Sequence, residues 1–115
     1  MKDNEKLEKI KEIILDECKK MGIGVERIIL FGSRARGENR ENSDFDIYVV
    51  VDDIEFFSYK KLYSKLLWRF AELDLNVDII IRPLKAFEKN KNFLGFISHY
   101  ANKEGISIWK RQRSG

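Results

Sequence analysis

Two carboxylates separated by one residue, Asp44 and Asp46, stand where the apolar run 47–51 begins. Such a run reads as a strand, and residues i and i+2 of a strand project from the same face. Two carboxylates held side by side repel each other unless a cation lies between them. Hard divalent cations such as Mg²⁺ prefer oxygen ligands of this kind, often together with substrate phosphates. The pair therefore predicts metal-assisted chemistry on a phosphate.

A small-residue turn, Gly32-Ser33, precedes the acid pair and follows the apolar run 28–31. Because glycine has no side chain, its backbone can approach a phosphate closely. We expect a short helix after Ser33, whose amides and hydroxyl can bind a phosphate oxygen. Arg34 and Arg36 are near enough in sequence for one of them to reach a phosphate, although arginines also solubilise exposed loops.

A third carboxylate, Asp78, lies inside the apolar stretch 75–82. Acids are rarely placed in a buried strand without a partner or a metal. If this strand neighbours the strand that carries Asp46, the carboxylates of Asp44, Asp46 and Asp78 converge. Such a set can hold two ions about 4 Å apart, which activate the attacking oxygen and neutralise the leaving group in phosphoryl transfer. Taken alone, an Asp-x-Asp pair is also common at solvated strand starts.

The elements that position these residues follow from hydrophobic periodicity. Helices are predicted over 4–21, 54–73, 84–88 and 92–103, and strands over 25–31, 44–51, 75–82 and 106–109. Asp52-Asp53 is expected to cap the second helix, and Pro83 to end the third strand. This alternation predicts an α/β fold with a small mixed β-sheet of three to four strands packed with helices.

The helix at 54–73 carries apolar residues around more than one face, and so does the segment near 93–97. We assign most aromatic residues of the helix at 54–73 to the core: Phe56, Phe57, Tyr59, Tyr63, Trp68 and Phe70. A small domain with apolar residues around a helix often has a partner, so we expect a homodimer or a complex with another protein. Cys18 is expected in the core, and His99 is expected to be an ordinary packed or surface histidine.

Composition bounds the class of protein. The 115 residues, 43% of them hydrophobic and 36% charged, suit one domain over 1–115. The formal charge of +3 is too small to predict direct nucleic-acid binding, and the basic segment 110–115 reads as a solvated tail. No run approaches the roughly 20 apolar residues that span a bilayer, and no signal core follows the N-terminus. We therefore expect a cytoplasmic protein without a membrane partner.

The two halves of the motif together resemble a known signature. Gly32-Ser33, then ten residues, then Asp44-Phe45-Asp46 is similar to the signature of the DNA polymerase β-like nucleotidyltransferase superfamily. The fuller stretches 32–37 and 43–47 resemble its minimal nucleotidyltransferase (MNT) branch. Both halves stand at the expected separation and in the expected strand context, and the resemblance covers nearly the whole chain.

This resemblance implies an enzyme of the polymerase β-like nucleotidyltransferase fold that binds a nucleoside triphosphate with Mg²⁺. It carries over Asp44, Asp46 and Asp78 as catalytic metal ligands for two ions, and Gly32 and Ser33 as the phosphate-binding pair. Members transfer a nucleoside monophosphate to an acceptor and release pyrophosphate. In many prokaryotic genomes, similar proteins are antitoxins of HEPN-domain ribonuclease toxins, in some cases by adding AMP to a toxin tyrosine.

Three functions remain open at this point. The first is transfer of AMP from ATP to a HEPN toxin, which neutralises it. The second is neutralisation of the toxin by binding alone, with the site retained but unused. The third is transfer to a small molecule of the aminoglycoside type with a separately encoded substrate-binding subunit, because we expect the chain to have no second domain.

Overall fold

The protein is described by a computed structural model over residues 1–93 and 96–112. In chain order its elements are α1 (Asp3–Lys20), β1 (Val25–Phe31), α2 (Gly32–Ala35), β2 (Phe45–Val51), α3 (Phe56–Glu72), β3 (Val77–Pro83), α4 (Leu84–Asn90), α5 (Ile97–Glu104) and β4 (Ile106–Lys110). The strands form one sheet in the order β3-β2-β1-β4. β1 pairs antiparallel with β2 and β4, whereas β2 and β3 are parallel. The predicted mixed sheet, including its short edge strand near 106–109, is confirmed.

The side chains of β2 alternate between two cores. The larger core lies under α1 and α3 and receives Phe45, Ile47, Val49 and Val51. The smaller core contains Phe87 of α4 and Ala101 of α5 and receives Tyr48 and Val50. Since helices cover both faces of the sheet, a central strand can be apolar on both sides. Asp46 is the single residue of β2 that carries a carboxyl group.

α1 and α3 pack on the sheet because each presents apolar residues at helical spacing. The buried apolar residues of α1 are Ile10, Ile13, Ile14 and Cys18, and those of α3 are Leu62, Leu66 and Phe70. At the rim of this contact, Arg69 Nη1 donates to Glu17 Oε1 at 3.0 Å. The predicted core position of Cys18 is confirmed. No helix within the described ranges is long and apolar enough to span a membrane.

The predicted core position of the α3 aromatic residues is wrong for most of them. Phe56, Phe57 and Trp68 are 74%, 75% and 70% exposed, while Phe70 is buried. Tyr63 is exposed as well, and Tyr59 is half-buried. A helix lying on one face of a sheet buries one stripe of its surface, and the stripe through Leu62, Leu66 and Phe70 occupies that contact. The remaining aromatic residues therefore face outward.

The C-terminal segment is more ordered than a solvated tail. Lys110 ends β4, and Arg111 Nε donates to the Val25 carbonyl at 3.0 Å. Arg111 Nη2 also donates to Asp52 Oδ2 at 3.0 Å. The expected cap of α3 by Asp52 and Asp53 is wrong. Glu55 is the residue that precedes the helix, and it makes no side-chain capping bond. Residues 113–115 lie outside the described part of the chain.

Several predicted boundaries move by a few residues. β2 begins at Phe45, so Asp44 precedes the strand, and β3 begins at Val77. α4 extends to Asn90, two residues further than expected. The helix expected over 92–103 begins at Ile97, and Gly105 follows its last residue as predicted; residues 94–95 lie outside the described ranges. An apolar pattern cannot separate the first turn of a helix from an apolar approach to it, which explains the late start.

We expect the neighbouring variants Leu66→Ala and Leu67→Ala to differ strongly in stability. Leu66 is fully buried, whereas Leu67 is 38% exposed. Leu66→Ala should lower the free energy of unfolding by about 2–5 kcal/mol, because it leaves a cavity in the larger core. Leu67→Ala should lower it by less than about 1 kcal/mol. Urea unfolding followed by circular dichroism measures both, and equal losses would show that α3 packs through another face.

Candidate active site

Two acids on neighbouring strands lie side by side. In the parallel ladder of β2 and β3, Asp46 stands opposite Asp78. Their neighbours Ile47 and Ile79 point into the larger core, so alternation turns both acids to the opposite face. Asp44 lies two residues before Asp46, immediately outside the strand. The strand adjacency on which the predicted convergence depends is present.

The environment of Asp46 perturbs its ionisation. Burial raises the pKa of Asp46, and the charges of Asp78 and then Asp44 raise it further. The positive charges of Arg36 and Arg34 act in the opposite direction on this pKa. Asp46 is half-buried, whereas Asp44 and Asp78 are exposed. A group of neighbouring carboxylates, one of them with a perturbed pKa, is a recognised feature of functional sites.

Gly32 touches this acid directly. Its predecessor, Phe31, stands opposite Asp46 in the antiparallel ladder of β1 and β2. Gly32 has a φ of +72°, and a Cβ at this position would collide with Asp46 Oδ2. Positive φ is unfavourable for residues with a side chain, so both the backbone conformation and the available space require glycine here.

The short helix predicted after Ser33 is α2, which begins at Gly32 directly after β1. The turn is closed by backbone bonds, with the Glu38 amide donating to the Ser33 carbonyl at 2.9 Å and the Arg36 amide to the Gly32 carbonyl at 3.3 Å. The first amides of a helix have no partner within the helix, so those of α2 can bind an anion. The structure thus brings Gly32 and Ser33 to the end of β1 beside Asp46.

Arg34 is turned away from the acids and braces the loop. Its side chain is 6% exposed, and its Nε and Nη2 donate to the Ser43 carbonyl at 3.0 and 2.6 Å. Its guanidinium also lies 3.9 Å from the centre of the Phe45 ring and pairs with Asp3. Phe45 belongs to the larger core, on the face opposite Asp46. These contacts assign Arg34 to holding residues 36–43 in place.

Arg36 lies near the turn formed by Gly32 and Ser33. It lines a cleft of about 260 Å³ together with Gly32, Tyr100 and Glu104. Its Nε donates to Glu38 at 3.1 Å, and its Nη1 lies 3.6 Å from Glu104 Oε2. Tyr100 and Glu104 were missed as site residues, because no local pattern indicates that α5 packs beside α2.

The acids suit a hard divalent cation in their chemistry, because carboxylate oxygens are the ligands that Mg²⁺ prefers. Asp46 and Asp78 also share one face of the sheet, near the first residues of β2 and β3. Within residues 1–93 and 96–112, however, no three Asp, Glu, His or Cys side chains are gathered closely enough to hold an ion. The donor set therefore matches Mg²⁺, although its carboxylates do not form a closed coordination shell.

His99 is half-buried on α5. Its Nδ1 is 3.1 Å from the Lys91 carbonyl, and its ring meets Tyr100 edge to face with the centroids 5.2 Å apart. These contacts agree with the expectation of an ordinary packed or surface histidine.

Comparison with known proteins identifies the family of this chain. The model of the nucleotidyltransferase domain family matches residues 7–105. Two proteins of Methanocaldococcus jannaschii, both provisionally named protein adenylyltransferases, are similar to this chain. One is 35% identical over 78 residues, which is 68% of this chain and 76% of that protein. The other is 38% identical over 76 residues, which is 66% and 71% of the two chains.

Solved structures share the fold. A provisionally named minimal nucleotidyltransferase is 27% identical with a TM-score of 0.56, covering 91% of this chain and 95% of its own. A chain from the crystal structure of a toxin–antitoxin with AMP-PNP is 24% identical with a TM-score of 0.56, covering 88% of this chain and 73% of its own. At that level of identity, the second likeness concerns the fold alone.

We expect Gly32→Ala and Gly37→Ala to separate backbone strain from contact with the acid. Both glycines have a φ of +72°, but a Cβ at Gly37 meets nothing within 4 Å. Both variants should lose about 1–2 kcal/mol of unfolding free energy through strain. Gly32→Ala should in addition displace the Asp46 carboxylate and shift its pKa, measured by ¹³C NMR titration of the carboxyl carbon. Equal Asp46 titrations in the two variants would contradict the contact.

The raised pKa of Asp46 predicts a stability change with pH. Because the folded protein holds this proton more tightly than the unfolded chain, the stability contributed by Asp46 is present below the ordinary value of 3.8 and is lost as the pH rises through the raised pKa. We therefore expect Asp46→Asn to be more stable than the wild type at neutral pH, with the gap shrinking as the pH falls.

Urea unfolding, repeated from neutral pH down to the ordinary value of 3.8, measures the difference in unfolding free energy between Asp46→Asn and the wild type. Glu41→Gln, in the exposed loop, is the control and should show no comparable gap. A variant less stable than the wild type at neutral pH, or a gap independent of pH, would contradict the electrostatic account of Asp46.

Proposed function

The chain belongs to the nucleotidyltransferase domain family, and we propose that it transfers AMP from ATP to a hydroxyl of a partner protein with Mg²⁺. Nucleotidyl transfer itself follows from family membership. The observation that carries the proposed site is the register of the sheet, which sets Asp46 opposite Asp78 while Gly32 touches Asp46. Metal-binding acids and a phosphate-binding turn then meet at one edge.

In this proposal Asp44, Asp46 and Asp78 are the catalytic acids and the metal ligands. These carboxylates would hold Mg²⁺, which would neutralise the phosphates and help to activate the attacking oxygen. Gly32 and Ser33 bind the phosphates that leave, through the closely approaching backbone at Gly32 and the Ser33 hydroxyl. Arg36 lines the adjoining cleft and is the arginine placed to pair with a phosphate, whereas Arg34 acts through the loop that it braces.

The proposed reaction is a single displacement. The acceptor hydroxyl oxygen forms a bond to the α-phosphorus of ATP, and the bond from that phosphorus to the oxygen bridging it to the β-phosphate breaks. Pyrophosphate leaves with the electron pair of that bond, and the hydroxyl proton passes to Asp78. The acids must be ionised for this role, which their mutual repulsion opposes and a divalent cation favours.

A protein acceptor is supported by the relatives that are 35% and 38% identical, both provisionally named protein adenylyltransferases. That this protein acceptor is a toxin is proposed on the MNT resemblance of the stretches 32–37 and 43–47. We propose that this partner is a HEPN-domain ribonuclease, as the MNT resemblance implies. The chain would then act as the antitoxin of that pair.

Neutralisation by binding alone is the second candidate. The observation that favours it is the separation of the acids, since no three metal-binding side chains in the described ranges are gathered closely enough to hold an ion. The exposed aromatic residues of α3 supply a surface for such binding.

Labelling separates the two candidates. The protein is incubated with Mg²⁺, each α-³²P-labelled nucleoside triphosphate in turn, and the product of the neighbouring gene. We expect label from ATP on that product. The Asp44→Asn/Asp46→Asn variant should label the product more than about 100-fold more slowly than the wild type. Such a loss exceeds the one typical of residues that only support metal ligands. Glu41→Gln should keep the wild-type rate.

A stable complex without label would favour neutralisation by binding alone. Label on a small molecule instead of the protein would favour the third function, transfer with a separate substrate-binding subunit. Retained labelling in the double variant would show that Asp44 and Asp46 are not the catalytic acids.

A further inference from the structure

A second cleft, of about 570 Å³, lies between α3 and β3 and contains none of the three acids. Its α3 wall consists of Phe56, Tyr59, Lys60 and Tyr63, and its β3 wall is 79–82. Phe56 is 74% exposed and Tyr63 44% exposed, so the aromatic wall is open to a partner. We call this the α3–β3 cleft.

The charges of the α3–β3 cleft are all positive. Lys60 and Arg82 are the two charged residues that line it, and neither forms a salt bridge with any residue in the described part of the chain. Lys60 Nζ lies 5.2 Å from the centre of the Phe56 ring, and Arg82 Nη1 donates to the Ile81 carbonyl at 2.8 Å. An occupant with carboxylates would therefore complement the cleft.

A hydroxyl in the same wall also needs a partner. Tyr59 Oη is buried and forms no hydrogen bond within residues 1–93 and 96–112. Burial raises the pKa of Tyr59 to about 12, so the hydroxyl keeps its proton at neutral pH and can donate it. Buried polar groups without a partner are uncommon and call for an explanation, which a carboxylate acceptor would provide.

The floor of the cleft is the open edge of the sheet. β3 is an outer strand with a neighbour on one side, and an extended peptide can add to such an edge through main-chain hydrogen bonds. Asp78, Ile80 and Arg82 alternate onto the same face of β3. From Arg82 to Asp78 is about 13 Å along the strand at roughly 3.3 Å per residue. An extended segment of about five residues, with four intervals between them, would span this distance.

We propose that an acidic, apolar segment of the acceptor protein binds in the α3–β3 cleft as an added strand along β3. Its carboxylates pair with Arg82 and Lys60, its apolar side chains lie against Phe56 and Tyr63, and its hydroxyl residue reaches Asp78. This inference rests on the proposed transfer to a protein and names the part of the acceptor that is recognised. A nucleotide is a poorer occupant, because the phosphate-binding turn follows β1, on the far side of β2.

A synthetic copolymer of glutamate and tyrosine tests the inference, since it carries carboxylates and an acceptor hydroxyl. Its binding to the full chain is measured by fluorescence anisotropy, with a lysine–tyrosine copolymer as the charge-inverted probe. We expect the glutamate copolymer to bind and Arg82→Glu to weaken binding by about tenfold or more, because it reverses a charge in the cleft.

Lys61→Glu is the matched control. Lys61 is exposed on α3 beside Lys60 but does not line the cleft, and the charge change is the same. We expect less than about a twofold effect from this remote surface charge. Arg82→Gln, a milder change, should give an intermediate loss and guards against misfolding of the reversed-charge variant.

Equal weakening by Lys61→Glu would overturn the inference, and so would equal binding of the two copolymers or displacement of the glutamate copolymer by ATP. The binding measurement does not depend on catalysis, since no Mg²⁺ is added. Binding that requires Arg82 without label on the copolymer or on any protein would leave the docking site standing and count against the proposed transfer.

Discussion

The candidate site depends on the register of β2 between its two neighbours. Asp46 stands opposite Phe31 in β1 and opposite Asp78 in β3. Because side chains alternate along a strand, a slip of one residue would turn Asp46 into the larger core and bring Phe45 to the acid face. The burial of Phe45, Ile47 and their alternating successors under α1 and α3 therefore holds the acids in place as well as stabilising the domain.

The position of Asp46 suits cation binding but lowers the stability of the folded domain. Asp46 is half-buried beside two other carboxylates, so its pKa is raised, and its Oδ2 occupies space that a Cβ at Gly32 would fill. A side chain kept where its charge is unfavourable is typical of sites that bind a cation. Arg34 braces the loop, since its buried guanidinium ties the Ser43 carbonyl to the Phe45 ring, and its positive charge also opposes the rise of the Asp46 pKa.

The sheet order also separates the two proposed substrates. The glycine turn follows β1, and the α3–β3 cleft lies beyond β3, so the acids of β2 and β3 stand between them. ATP and an acceptor segment could then approach the acids from opposite sides without competing for one surface. Phe56 and Tyr63 fit this division, because they line the α3–β3 cleft and remain exposed rather than packed in the core.

The sequence by itself determined the element types and the chemistry of the site. Alternation and 3.6-residue spacing are local properties, so β1, α1 and the faces of Asp46 and Asp78 could be predicted. The tertiary structure decided the rest. Strand order brought Asp78 to Asp46, and packing showed that Phe56 and Trp68 face outward and that Arg34 braces the loop. These outcomes depend on contacts between residues far apart in the chain, and no local pattern encodes them.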